Sequence, residues 1–408
     1  MMVSFNYSVA NKNWSLIFLS LLAIFFPFTG AAAHNILFWL AVISFCFSIS
    51  FYKNLKVVIK NPVSQLSLII FLFMSISLIW NGYSANAING LLKYKEFIFI
   101  ALLPAAMLNK KTAQMITVFF ITGLLLALIA SYLIYFDLFR PNGHYNSFSG
   151  RILHGLQMNV LLLFLLYQVF IKKRNQIISI IISLLIIANV TIIEPSRTAQ
   201  ITMLSVEFLF IVIYLIDNPI RDKIKILTIP LLFIVFTVAI FNFASIKTLT
   251  KINELPPDLH EITEKDLRNS DPRAAFYING LNLIAKKPMT GFGLGNIKEP
   301  YQSLKNIQIS QKNEDNYGVT SNLHNQFLQI SVEIGVIGGL IFSIFVISTL
   351  FTKANIALKG GIFLITLISN AFNSSFLDHG DGWILLLTLS LLVAHSSQSK
   401  HIVKVAAK

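Results

Sequence analysis

Long apolar runs alternate with short polar connections along the whole chain. A helix of about 20 apolar residues crosses the roughly 30 Å hydrocarbon core of a bilayer. Twelve runs are expected to do so, at residues 14–29, 35–52, 64–80, 96–108, 114–136, 154–171, 176–193, 199–216, 224–243, 327–351, 355–372 and 383–395. Lipid offers backbone groups no partners, and the runs lack the two-residue alternation of a membrane barrel, so the pattern predicts helices. The expected fold is all-α: a polytopic membrane protein with about twelve transmembrane helices and one large loop. That reading divides the chain into spans 1–9 (residues 1–243), the loop 244–323, and spans 10–12 (residues 324–408).

Composition agrees with this class. Of 408 residues, 55% are hydrophobic and 12% charged, with mean hydropathy +0.70. A soluble domain would carry about 25% charged residues. The basic residues then set orientation. With a cytoplasmic N-terminus, 17 Lys and Arg fall in inner segments and five (Lys93, Lys95, Arg140, Arg151 and Arg197) in short outer ones. The long segment 244–323 holds 10 more beside 9 acidic residues, so it is nearly neutral. Both termini are expected on the cytoplasmic side. The net charge of +14 is mostly topology, and nucleic-acid binding is discounted. Lys12, the apolar run after it and Ala31-Ala32-Ala33 have the outline of a signal peptide, but eleven later spans favour a retained first helix. Cys46, inside a span, offers neither a disulfide nor a thiolate metal site.

Candidate chemistry gathers in the outer segments. His324-Asn325 stands where the long loop enters an apolar helix, and an imidazole there can exchange a proton near neutral pH. Asp271-Pro272 reads as a helix start and Lys286-Lys287-Pro288 as its end. Arg273 falls in that first turn, where a cation is mildly unfavourable without a nearby anion; an ordinary solvated arginine is the other reading. Glycines 291, 293 and 295 suit either a tight turn or a loop whose amides cradle phosphate or sugar. Arg197, in the short connection Glu194-Pro195-Ser196-Arg197, either pairs locally or presents a guanidinium fork to phosphate. Lys95 and Arg151 are further candidates for anion contact, and His154 is an interfacial or cavity-lining residue. Asp378, His379 and Asp381 form a possible polar cluster in the last outer loop, and the remaining histidines show no metal-ligand spacing.

Ser196-Arg197, Arg273, the Gly291/Gly293/Gly295 loop, and His324-Asn325 followed by Leu328, Glu333, Gly335 and Gly338 together resemble the O-antigen ligase family of bacterial inner membranes. The resemblance is strongest over about 190–340. It implies a glycosyltransferase that moves polysaccharide from an undecaprenyl-diphosphate carrier to a sugar hydroxyl of the lipid A core. The reaction takes place at the periplasmic face, with no cofactor or metal, and the large loop is then periplasmic. It also implies catalytic roles for His324, Arg197 and Arg273, and substrate contacts at Asn325, Lys95, Arg151, His154, Gly291 and Gly293. Cations lower the barrier by stabilising the departing diphosphate, and the imidazole takes the acceptor proton. Direct attack inverts the anomeric centre.

The nearest alternative is an O-antigen or related polysaccharide polymerase, which shares the carrier chemistry but often carries two sizeable outer loops. A lipid-linked sugar flippase would show inverted repeats and charges deep within spans. The ionisable residues here sit at the outer rim, with Glu207 the main exception.

Overall fold

The computed structural model describes residues 7–46, 49–139, 147–217, 272–304 and 320–406. Among the described residues the fold is helical, without strands. The helices are α1 (Tyr7–Phe25), α2 (Ala31–Cys46), α3 (Ile49–Val58), α4 (Pro62–Asn81), α5 (Ala85–Lys93), α6 (Glu96–Ala106), α7 (Lys110–Tyr135), α8 (Arg151–Leu166), α9 (Gln176–Ala188) and α10 (Arg197–Asp217). After them come α11 (Pro272–Lys286), α12 (Lys298–Gln302), α13 (Gln326–Ile334), α14 (Val336–Ser348), α15 (Ile356–Phe372) and α16 (His379–Ala406). The expected ninth span, 224–243, and residues 244–271 and 305–319 of the long loop lie outside the described residues.

Among the described residues, six helices are long and apolar enough to cross a membrane, and four shorter apolar helices (Trp14–Phe28, Ala32–Phe45, Val336–Phe351 and Ile356–Phe372) overlap other expected spans. Asparagines cap α4, α7 and α15: Asn61, Asn109 and Asn355 each accept a backbone N–H two residues on. Two expectations change in detail. The run 327–351 breaks at Gly335, whose φ of 86° ends α13, so the apolar helix that follows starts at Val336. The run 96–108 is an eleven-residue helix, interrupted by Pro104.

The last span turns out to be the core. Trp383, Ile384, Leu385, Leu386 and Leu389 of α16 are fully buried, and α16 packs on α6, α7 and α8. Of the segment Gly380–Gln398, 89% is buried, against 39% of the apolar part of α7. α7 instead turns Val118, Leu126, Ile129 and Leu133 outward, as a lipid-facing helix must.

Side-chain hydrogen bonds tie the described connections together at two ends of the bundle. At one end Asn61 donates to Ser396 (2.7 Å), Asn54 to the Ala105 carbonyl (2.9 Å) and Gln398 to the Met107 carbonyl (3.4 Å). At the other, Asn81 donates to the Thr290 carbonyl (3.0 Å), and Gln326 accepts from the Phe376 amide (2.9 Å). A second, smaller apolar cluster sits at this latter end. It holds Phe276, Leu283, Ile297, Tyr301, Leu304, Leu323 and Val332, and it joins α11 and α12 to α13. Burying each large side chain there is worth about 1.5–3 kcal/mol, which seats the loop helices on the bundle.

Candidate active site

His324 occupies the turn that leads into α13, with its backbone in the left-handed region (φ 50°). A non-glycine residue adopts that conformation only when its surroundings hold it. Asn322 accepts the His324 amide at 2.8 Å, Gln329 accepts the Leu323 amide at 3.0 Å, and the Tyr277 hydroxyl lies 3.3 Å from the His324 carbonyl. The ring lies over Phe276, centroids 5.7 Å apart and planes 27° apart. The same helix, α11, thus supplies both Phe276 and Tyr277 to the histidine.

The imidazole Nδ1 sits 3.3 Å from Asn373 Oδ1, while the Asn373 amide nitrogen donates to Asp381. Asp381 offers an acceptor, so it orients the Asn373 amide with its oxygen toward the ring. In the neutral ring this puts the proton on Nδ1 and the lone pair on Nε2. Asn322 also donates to both carboxylate oxygens of Asp378, at 3.3 and 3.4 Å. Burial pushes the Asp378 carboxyl above the usual carboxylate range. The positive charge of a protonated His324, hydrogen bonds from Asn322 and Asn373, and the Lys93 ammonium oppose that shift.

Arg197 begins α10, where guanidinium and the positive end of the helix dipole add together, and it is exposed. Its neighbour Thr198 lines a narrow cleft with Ile152, Leu156, Asn159, Ala199, Thr202, Ser369, Asn373 and Asp381. The cleft therefore runs from the start of α10 to the residue that holds His324. α8 and α10 approach closely beside it, since a Cβ on Gly155 would lie 2.5 Å from that of Ala199. Arg273 falls in the first turn of α11, one turn before Phe276 and Tyr277. The backbone thus brings all three expected catalytic positions to one end of the bundle.

The other expected positions fare differently. Asn325 caps α13, its side-chain oxygen accepting the Leu328 amide at 3.0 Å. Arg151 is exposed at the start of α8. His154 is buried and faces away from the cleft: its Nε2 meets Asn189 at 2.8 Å, and Asn189 donates to Ser131. The cleft side of α8 is Ile152, Leu156 and Asn159, spaced at one and two helical turns. Lys95 is half-buried at the start of α6, whereas Lys93 is the lysine whose charge reaches Asp378 and Glu333.

The glycine loop is a structural clasp. Its amides are already occupied: Gly291 bonds the Lys287 carbonyl, Phe292 the Val332 carbonyl, Gly293 the Glu333 carbonyl, and Gly295 the Glu333 side chain. The phosphate or sugar cradle expected of Gly291 and Gly293 is therefore not presented. A Cβ at Gly291 (φ 67°) would lie 2.5 Å from the Glu333 carbonyl group, so close backbone packing explains the glycine.

Asn373, Tyr277 and Gln329 escape a reading of the sequence because their partners lie 47 to 94 residues away or in an irregular turn. One signal was available. Asn370 to Ser375 places polar residues at the end of an otherwise apolar run.

Comparison with curated proteins gives no match. The family model described as O-antigen ligase matches residues 181–343, a stretch that holds Arg197, Arg273, the glycine clasp, His324 and Glu333. Over that stretch, about two fifths of the chain, the sequence is similar to the O-antigen ligase family.

Proposed function

We propose that the protein is a lipid-linked polysaccharide ligase of the bacterial inner membrane, working at its periplasmic face. The donor is polysaccharide on undecaprenyl diphosphate, and the acceptor is a sugar hydroxyl of the lipid A core. The observation that supports this best is the His324–Asn373–Asp381 chain, which in the neutral ring puts the lone pair on Nε2, beside a narrow cleft lined by Asn373, Asp381 and Thr198, the residue after Arg197. In the reaction Nε2 takes the acceptor O–H proton as that oxygen bonds to the anomeric carbon. The bond from that carbon to the phosphate oxygen breaks, and the electron pair leaves on the diphosphate. Arg197 and Arg273 stabilise the charge that develops there, with the start of α10 adding its dipole. Backside attack inverts the anomeric centre.

The test uses liposomes holding the full chain, carrier-linked polysaccharide and lipid A core. Wild type is expected to place polysaccharide on lipid A core, and a correctly inserted His324→Ala protein to place none. Elongation of a second carrier-linked chain in place of lipid A core would make the enzyme a polymerase. Transfer by His324→Ala at the wild-type rate would remove the histidine from its role.

A further inference from the structure

α13 has only nine residues, yet it carries a wholly buried polar seam. Gln329 and Glu333 lie one turn apart on one face, at 0% and 1% exposure. Both ends of the Gln329 amide are engaged. Its oxygen accepts the Leu323 amide (3.0 Å), and its nitrogen donates to the Ser321 carbonyl (3.2 Å) and to Glu333 Oε1 (3.1 Å). Glu333 also accepts from the Gly295 amide (3.2 Å) and, through Oε2, from the Tyr94 hydroxyl (2.7 Å). The Gly293 amide bonds the Glu333 backbone carbonyl at 2.8 Å. One carboxylate thus ties together the α5–α6 turn, the glycine clasp and α13. Gln329 passes that anchorage to the residues just before His324.

We infer that Gln329 and Glu333 are positioning residues for His324, holding the turn 321–324 so that the imidazole meets its acceptor at the right distance and angle. The inference rests on the proposed role of His324 as base. The left-handed backbone at His324 supplies the physical reason. Such a conformation costs about 1–3 kcal/mol and persists only where neighbours over-determine it. Here the Leu323 amide, the Ser321 carbonyl and the His324 amide are all bonded to side chains. Two of those three bonds belong to Gln329. A fully desolvated carboxylate is expensive to maintain, and its three donors offset that burial. None of the hydrogen-bond partners of Gln329 and Glu333 lines the cleft, and the bonds of Gln329 run straight to the turn.

The experiment compares wild type, Gln329→Met, Glu333→Gln and His324→Ala as full chains in liposomes, by steady-state ligation and by hydrogen exchange. Gln329→Met is expected to lower kcat about 100-fold, the usual result of misplacing a catalytic group by about 1 Å. KM for the donor should stay within about twofold, because no substrate contact is lost. Amides in peptides covering 320–325 should exchange faster, while the spans keep their protection. Glu333→Gln keeps a neutral acceptor and donor in place and should fall about tenfold, with a smaller exchange change. It also serves as the test if Gln329→Met fails to fold.

Faster exchange at 320–325 with wild-type kcat would overturn the inference, as would unchanged exchange in both variants. A loss expressed in KM alone would also overturn it. An active His324→Ala protein would instead overturn the base assignment, whatever the exchange shows.

Discussion

Asn373→Ala removes the bond that selects the histidine tautomer. In wild type, Asn373 Oδ1 lies 3.3 Å from Nδ1 and the same side chain donates to Asp381. A hydrogen bond of this kind is worth a net 0.5–1.5 kcal/mol or so, and each 1.36 kcal/mol of barrier is tenfold in rate. Without it, part of the enzyme holds the proton on Nε2, where it blocks base catalysis, and kcat should fall about tenfold. Asp381, 4% exposed, loses a donor at the same time. An unsatisfied buried group costs roughly 1–3 kcal/mol, so thermal stability should drop as well. Asn373→Asp separates the two effects. A carboxylate still accepts from Nδ1 but cannot donate to Asp381 and repels it. That variant should keep most of its rate while losing more stability than Asn373→Ala. Rates come from ligation at saturating donor, and stability from thermal unfolding in detergent. Wild-type kcat in Asn373→Ala, or an Asn373→Asp protein as slow as the alanine variant, would refute the tautomer argument.

Other outcomes follow from the same geometry. Arg197→Lys should lose most activity, because one ammonium cannot reproduce a two-pronged contact with diphosphate; turnover at the wild-type rate would refute the fork. Gly291→Ala should destabilise the protein by more than about 2 kcal/mol, since its Cβ meets the Glu333 backbone at 2.5 Å and its φ is 67°. Gly30→Ala, with nothing within 4 Å, is the control; equal melting temperatures for the two variants would contradict the clasp. Asp378 has its carboxyl raised by burial, so its folded-state proton contributes stability below the usual carboxylate range that is lost as pH rises through the raised value. Asp378→Asn should therefore compare more favourably with wild type at pH about 8 than at pH about 4.5 in thermal unfolding. The opposite trend would show that the carboxylate is stabilised in place.

Much of the bundle is readable in the chain because lipid-facing helices must be apolar all round. α4, α7, α9 and α10 appear at their expected places within a few residues. α16 shows the limit of that signal. Its interior position lets it bury Thr388, Ser390 and Ser396, so it reads as the weakest span although it is the most enclosed. The break at Gly335 is hidden in a run of apolar residues, since apolar character reports environment and not helix continuity. At the site, His324 and Arg197 announce themselves as polar residues at span boundaries. The partners that give them chemistry do not. Asn373, Tyr277 and Gln329 are ordinary residue types whose meaning depends on tertiary contacts. The alternate glycines imitate an anion cradle, yet close packing against Glu333 and Asn86 is what requires them.

In the proposed reaction imidazole and guanidinium groups meet around one pyrophosphate ester at the end of the bundle that carries His324. Electron cryomicroscopy of the full chain in lipid with undecaprenyl diphosphate tests it directly. Diphosphate density is expected at the start of α10 against Arg197 and Arg273, with His324 Nε2 directed at the far side of the anomeric position, across from the departing phosphate oxygen. Diphosphate bound at the opposite end of the bundle, or His324 far from the sugar-bearing phosphate, would rule out this active site.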